Sequence, residues 1–261
     1  MIKEISYSVY IFPVRNGRVA LLKYGDDGYG PIGGRLDDCE KFNDALGREL
    51  VEELGVGADV LLKDAFEIPV SYKFKHSLPE QAEKRGAWAE EHHFYIAQIP
   101  DDFDIEFCES RPEKVSVVWV SPDELVSPNI IPFDDMRVFY ATHIVPNLAC
   151  RFSMNLQHQY YEMIKSGEKD IELRLYDEKR RKMRNGDMLL IYDAQNPSDY
   201  IRCIISRLHI AKSFADLSTK ISMPRTGFPT LNALLGAVSK FYSPDMETKH
   251  GIVGIELMFA E

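Results

Sequence analysis

The sequence is poor in several features, and each shortage excludes a class of protein. It has only four cysteines, Cys39, Cys108, Cys150 and Cys203, widely scattered and without a Cys-x-x-Cys pair. That spacing suggests neither a zinc knuckle nor a disulfide-stapled scaffold, and reads as reduced thiols in a cytoplasmic protein. No run of about 18 apolar residues occurs, so neither a transmembrane helix nor a membrane partner is expected. The N-terminal MIKEISYSVY alternates as a strand does. It lacks the basic start, apolar stretch and small-residue cleavage site of a signal peptide. Low-complexity tracts and internal repeats are also missing.

What is present is a chain of 261 residues, 45% of them hydrophobic, enough for one large domain or two ordinary ones with real cores. Its charge is uneven. Residues 1–150 carry 15 Lys+Arg against 27 Asp+Glu, and residues 151–261 carry 16 against 14, so the halves differ as −12 and +2. An acidic first half suits carboxylates gathered for a metal, and a second half with a local basic cluster suits an anionic ligand.

The first half opens with strand patterns at 4–13 and 18–24 around Arg15-Asn16-Gly17, an Asn-Gly hairpin signal. A glycine-rich loop, GDDGYGPIGG, leads to a helical pattern from Asn43 to Leu54 that Gly55 closes. Strands are expected at 59–73, 92–99 and 115–120, with a polar surface loop at 75–91. Ser121-Pro122-Asp123-Glu124-Leu125 opens a short helix, and another is expected near 135–146. After a boundary near Pro146–Phe152, strands are expected at 154–156, 171–175, 188–193, 200–210 and 251–259. Helices are expected at 157–166, 213–221 and 230–241, and a basic helix or turn at 177–184. The pattern is α+β, with domains at 1–148 and 152–261.

The most informative segment is GRLDDCEKFNDALGRELVEELGV, Gly34 to Val56. Glu49, Glu52 and Glu53 stand at i, i+3 and i+4, which puts three carboxylates on one helix face. Such a face invites a hard divalent cation with oxygen ligands. Arg48 can orient a carboxylate or clamp a substrate. Gly33 and Gly34 allow close backbone approach, and a carbonyl there can complete a metal shell. Glu40 reaches Arg48 only if a turn brings the loop back.

The spacing Gly34, Glu40, Arg48, Glu49, Leu50, Glu52, Glu53, Gly55, Val56 closely resembles the Nudix box. One apolar residue is inserted in the usual Pro-Gly-Gly, giving Pro31-Ile32-Gly33-Gly34. The resemblance implies an α/β/α sandwich and hydrolysis of a nucleoside diphosphate derivative with Mg2+, Mn2+ being the alternative. It also implies homodimerisation as an open expectation. Catalytic roles fall on Arg48, Glu49, Glu52 and Glu53, and metal ligation on Gly33, Glu49, Glu52, Glu53 and a glutamate outside the box. Glu90 and Glu91 are candidates for that last position, with Glu91 chosen as the ligand, and His92 and His93 stand beside them.

In the second half, Gly167-x-Lys169-x-x-Glu172-x-Arg174 sits on a strand pattern with Glu172 and Arg174 on one face. With MNLQHQYYEMIKSGEKDIELRLYDEKRRKMRNGDMLLIYD and the closing GIVGIEL, it resembles the ASCH domain of the PUA-like barrels. That resemblance implies a β-barrel with flanking helices that binds RNA or a modified nucleotide through Lys169, Glu172 and Arg174. Small members of the family deacylate cytidines with a Lys, a Thr and a Glu. Here Glu172 occupies the Thr position and no glutamate lies between Lys212 and Pro244. A second hydrolase site around Lys169, or a purely binding protein, are the competing readings. The run Lys179–Arg184 carries five cations in six residues, suited to phosphates or simply to solvent.

Overall fold

Asn16 and Gly17 both take positive φ (52° and 72°), as a tight hairpin turn demands. They join β1 (Lys3–Arg15) to β2 (Arg18–Tyr24). The structure, a computed structural model, describes residues 2–260 except 27, 56, 102, 104 and 108–114, so Val56 of the box and Cys108 lie outside the described residues. The chain divides into two compact units, Met1–Phe152 and Ser153–Glu261.

In the first unit, β3 (Gly28–Gly30), β4 (Ile32–Arg35), α1 (Phe42–Leu54), α2 (Ala58–Leu62), β5 (Ala65–Glu67), β6 (Tyr72–Lys75), α3 (Pro79–Arg85), β7 (Ala87–Gln98), β8 (Val115–Val120), α4 (Pro122–Leu125) and α5 (Asp134–Phe139) follow in order. The helix after α5 widens over Tyr140–Ile144 and tightens over Val145–Asn147. The sheet runs β3-β2-β1-β7-β5, with β4 on β1, β6 on β7 and β8 on β2. Helix α1 buries Ala45, Leu46, Leu50 and Leu54 against Val9, Ile11, Leu22 and Ile32. On the opposite face Phe12 and Phe94 pack against Tyr140 at ring separations of 5.5 Å. Helices thus cover both faces.

Several elements differ from the sequence expectation. The glycine-rich loop holds two short strands, because its backbone pairs with β2 and β1. Residues 59–73 are not one strand. They form α2 and parts of two strands, and Pro69, which lacks an N–H, lies between β5 and β6. The segment 75–91 is not a loop: Pro79 starts α3, Gly86 at φ 70° ends it, and β7 begins at Ala87. Leu78, Glu80 and Arg85 leave this helix without a strong apolar face, so periodicity does not show it.

The second unit carries the sheet β10-β13-β12-β11-β9. Its elements are β9 (Cys150–Leu156), α6 (His158–Lys165), β10 (Ile171–Leu175), α7 (Glu178–Arg181), β11 (Met188–Asp193), β12 (Tyr200–Ala211), α8 (Phe214–Ser218), α9 (Leu231–Val238), α10 (Pro244–His250) and β13 (Ile252–Phe259). A 3-10 turn at Met223–Thr226 and α10 were not expected, and the helices at 213–221 and 230–241 are shorter than their apolar pattern. Ile171, Leu173, Phe214, Leu217, Leu234 and Ile252 form a core between the sheet and its helices. Among the described residues no helix is long and apolar enough to cross a membrane.

Candidate functional site

The box carboxylates are positioned by the strand that precedes their helix. β4 lies antiparallel to β1, with Tyr10 opposite Gly33 and Val9 opposite Gly34. Gly33 has φ 128°, and a Cβ there would stand 2.2 Å from the Val9 carbonyl oxygen, so only glycine fits. Its N–H donates to Glu53 Oε2 at 2.8 Å. Glu53 is 2% exposed, a carboxylate held at the helix–strand seam. Gly34 forms the next contact. A Cβ at that position would meet Glu49 Oε1 at 2.5 Å, so the Glu49 carboxylate rests in the space the missing side chain leaves.

Arg48 connects the rest. Its Nε and Nη2 donate to the two oxygens of Glu40, at 3.1 and 2.9 Å. Its Nη1 donates to Glu49 at 2.8 Å and to Glu52 at 3.3 Å, and Nη2 also donates to the Arg35 carbonyl. Glu40 does come back: the Asp37 N–H donates to it within a turn that places Cys39 at φ 65°. The hydrogen bonds of Glu40 raise the Arg48 pKa above its ordinary value, with burial opposing, so the guanidinium is a permanent cation. Burial pushes the Glu49 carboxyl up from the usual range, Arg48 pulls it down, and Glu52 and Glu40 raise it again.

Among the described residues no group of three His, Cys, Asp or Glu side chains converges into a ready-made metal cage. The reason is visible: Arg48 takes up Glu49 and Glu52, while Glu53 turns to Gly33. The donor set nonetheless fits a divalent cation. It consists of hard carboxylate oxygens on one helix face, and the desolvated Glu49 gains from any added positive charge.

Strand alternation separates the candidates on β7. Glu91, chosen from sequence as a further ligand, accepts from Ser71 Oγ at 2.6 Å and pairs with Lys73 and His93. The His93 ring packs on Phe42 at 4.1 Å. Glu90 and His92 point to the other face. Glu90 lies 2.8 Å from His76 Nε2 and 3.4 Å from His92 Nε2, with Arg85 at 3.8 Å. The hydrogen bond to His92 leads in holding the Glu90 pKa down to about 2; burial opposes it, and His76 and Arg85 add to it. Such a carboxylate stays ionised and is a weak base. Burial leads in raising the pKa of the Tyr10 hydroxyl, a hydrogen bond with Ser8 opposes it, and Glu90 adds to the rise. His76, Arg85 and Tyr10 do not stand out in the sequence, since only the pairing of β1, β6 and β7 and the return of the chain through α3 bring them in.

The second unit has its own pocket, about 480 Å³, lined by Tyr160, Lys169, Glu172, Arg174, Arg180 and Phe228 among others. Lys169 is 3% exposed. Its Nζ donates to the Thr226 carbonyl at 3.0 Å, stands 2.9 Å from Glu172 Oε2, and lies 5.1 Å from the Tyr160 ring centre. Arg174 Nη1 pairs with the other Glu172 oxygen. The structure therefore brings the three sequence-named residues together in the pocket lining, Lys169 and Glu172 buried and Arg174 half-buried.

Gly34→Ala tests the seat of Glu49. The added methyl is expected to displace the carboxylate and lower turnover about 100-fold, with the melting temperature nearly unchanged. Gly33→Ala, which clashes with the Val9 carbonyl, is expected to destabilise the first unit instead, as thermal melts of the two variants would show.

Residues 5–141 match the NUDIX domain family and residues 154–260 the ASCH domain family. An RNA pyrophosphohydrolase of Erythrobacter litoralis is 36% identical over 110 residues, 40% of this chain and 63% of that protein. This chain thus spans less than two thirds of that relative. The Escherichia coli dihydroneopterin triphosphate pyrophosphohydrolase matches at 18% identity and TM-score 0.40, over 56% of this chain and 99% of the other. Protein PF0455 from Pyrococcus furiosus matches at 28% identity and TM-score 0.35, over 42% and 97%. With the box intact on its helix and the family match covering residues 5–141, the chain belongs to the Nudix family and carries an ASCH domain in its second half.

Proposed function

We propose that the chain is a divalent-cation-dependent pyrophosphohydrolase acting on a nucleoside diphosphate derivative, with Mg2+ as the ion and Mn2+ as a substitute. The observation that carries this reading is the seating of two box carboxylates on the glycine strand, Glu53 on the Gly33 N–H and Glu49 against Gly34. Glu49, Glu52 and Glu53 would hold the cation, with the Gly33 carbonyl as a further oxygen. The chemistry a divalent cation supplies there is neutralisation of pyrophosphate charge.

The side chains do the remaining work. Arg48 keeps Glu49 and Glu52 from drifting apart and supplies positive charge beside them. Glu49, seated against Gly34 beside Arg48, would hold the cation and assist deprotonation of an attacking water. Of the two strand glutamates, Glu91 shares the Val9–Gly34 face of the sheet on which Glu49 rests, and Glu90 faces the Tyr10 side. Ser71, Lys73 and His93 all meet Oε1 of Glu91.

In the second unit the pocket of Tyr160, Lys169 and Phe228 suits an aromatic base held against a cationic floor. A lysine paired with Glu172 serves as a fixed cation, which favours binding over a second hydrolase site. The similarity to an RNA pyrophosphohydrolase directs the first substrate screen to RNA, beside modified nucleoside triphosphates, dinucleoside polyphosphates and ADP-ribose-like sugars. The test is product identification across this panel with Mg2+, Mn2+ and chelator. Cation-dependent phosphate or nucleotide release is expected. No cation-dependent cleavage of any member would sink the proposal.

A further inference from the structure

Arg48 has no donor left for a substrate. A guanidinium carries five N–H donors, and here they go to both oxygens of Glu40, to Glu49, to Glu52 and to the Arg35 carbonyl. Apart from the divalent cation, contacts to a phosphate chain therefore fall to residues outside the box helix. Two arginines meet where β4 ends. Arg35 follows Gly34 and stands in one row with Ser8 of β1 and His92 of β7, on the Tyr10 side of the sheet. Its Nη1 donates at 2.7 Å to the carbonyl of Arg85, the last residue of α3. That bond satisfies a carbonyl that the helix end leaves open, and it ties the Arg85 backbone to β4.

The Arg85 side chain is held far more loosely than its backbone. It is 59% exposed, stands 3.8 Å from Glu90 Oε1 and makes no hydrogen bond among the described residues. Glu90 has His76 at 2.8 Å from Oε1 and His92 at 3.4 Å from Oε2, so it keeps the Arg85 charge nearby while the donor fork stays open. Ser6, opposite Glu90 on β1, buries a hydroxyl without a hydrogen-bond partner among the described residues. Strand β4 sets an order along the site. At its start lies a mostly apolar concavity of about 420 Å³, lined by Tyr29, Gly30, Pro31 and Tyr140 among others. At its middle the Gly33 N–H donates to Glu53. At its end Arg35 holds Arg85. From Pro31 to Arg35 the chain advances about 13 Å. Tyr140 packs on Phe12, so the concavity and Arg85 both lie on the Tyr10 side.

We propose that Arg85 binds a terminal phosphate beyond the pyrophosphate held at the box, and that Arg35 is the residue that positions it. The substrate then lies along β4. Its organic group occupies the concavity, its pyrophosphate stands beside Gly33 and Gly34, and its end phosphate enters the Arg85 fork. A planar guanidinium with open donors meets a phosphate through two parallel hydrogen bonds. A diphosphate closed by sugars at both ends presents no such group, so the chain selects triphosphates over sugar-linked diphosphates. The inference rests on the pyrophosphohydrolase reading and names the substrate class within it.

The test uses the full chain and two inorganic probes, pyrophosphate and tripolyphosphate, each titrated calorimetrically at one fixed concentration of free Mg2+. Tripolyphosphate is expected to bind about tenfold tighter than pyrophosphate. Arg85→Ala is expected to remove that difference, weakening tripolyphosphate about tenfold while pyrophosphate changes by less than about twofold. Arg85→Lys keeps the charge without the fork and is expected to recover part of the loss. Arg35→Ala is expected to repeat the loss for tripolyphosphate alone, and Arg35→Lys to restore binding, because an ammonium can still donate to the Arg85 carbonyl. Lys84→Ala removes an exposed cation from the same helix and is expected to change neither affinity. Equal affinity of the parent for the two anions, equal losses of both in Arg85→Ala, or a loss in Lys84→Ala as large as in Arg85→Ala would each overturn the proposal. Mg2+-dependent pyrophosphate binding by the parent, read in the same titrations, keeps the hydrolase reading in place through any of these results. Its absence would remove both.

Discussion

Glu53→Gln is expected to lower turnover by about 10³-fold, or about 4 kcal/mol of transition-state stabilisation, while the melting temperature stays nearly constant. The separation follows from the geometry. Glu53 is buried, and its Oε2 accepts a 2.8 Å hydrogen bond from the Gly33 N–H. A glutamine amide oxygen can accept the same bond, so the joint between α1 and β4 survives. What is lost is the negative charge, which a cation needs and the fold does not. Binding of Mn2+, followed by its electron paramagnetic resonance signal, is expected to weaken by about 10- to 100-fold in parallel. Turnover within tenfold of the parent enzyme, measured on whichever substrate the panel identifies, would remove Glu53 from the catalytic set. Glu91→Gln is the matched control. Its Oε1 is engaged by both Ser71 and Lys73, and turnover is expected to change less than tenfold.

How much of this site could be read in the sequence depends on where its information lies. The helix, its carboxylate face and its Gly55 terminus are local, and the spacing of Glu49, Glu52 and Glu53 contains them. The second unit's triad was also legible, because Lys169, Glu172 and Arg174 are close in sequence. The seat of Glu49 on Gly34 was not, since it depends on β4 pairing with β1. Neither was the division between Glu90 and Glu91. One residue's difference on a strand reverses the face, and no local pattern says which face meets Tyr10. The expected strand at 59–73 failed for a related reason: short apolar stretches do not distinguish a helix such as α2 from a buried strand. Sequence alone assigned Glu172 to a charged, groove-lining face; the structure places it in the pocket lining and buries it to 3% exposure, which no local pattern shows.

That burial makes Glu172→Gln the substitution with the largest expected effect on stability. Burial pushes the Glu172 carboxyl upward, but the neighbouring Arg174 and Lys169 outweigh it and hold the pKa below its ordinary value. Removing the charge without changing the shape leaves Lys169 buried without its carboxylate. Such broken pairs cost about 3–5 kcal/mol, which lowers the melting temperature by roughly 10 °C for a chain of this size. Adding Lys169→Met to Glu172→Gln is expected to recover part of the loss, because it removes the stranded ammonium. The pH dependence separates this electrostatic cause from simple misfit. A carboxyl depressed in the folded state stabilises fully above its unfolded value near 4.5, and the contribution disappears as pH falls through the lower folded value. The parent protein's advantage over Glu172→Gln is therefore expected to be constant from neutral pH down to about 5 and to shrink below about 4.5. An advantage that persists undiminished at pH 3 would mean that the glutamine fails through packing, and that the Lys169–Glu172–Arg174 triad is not what holds the pocket floor.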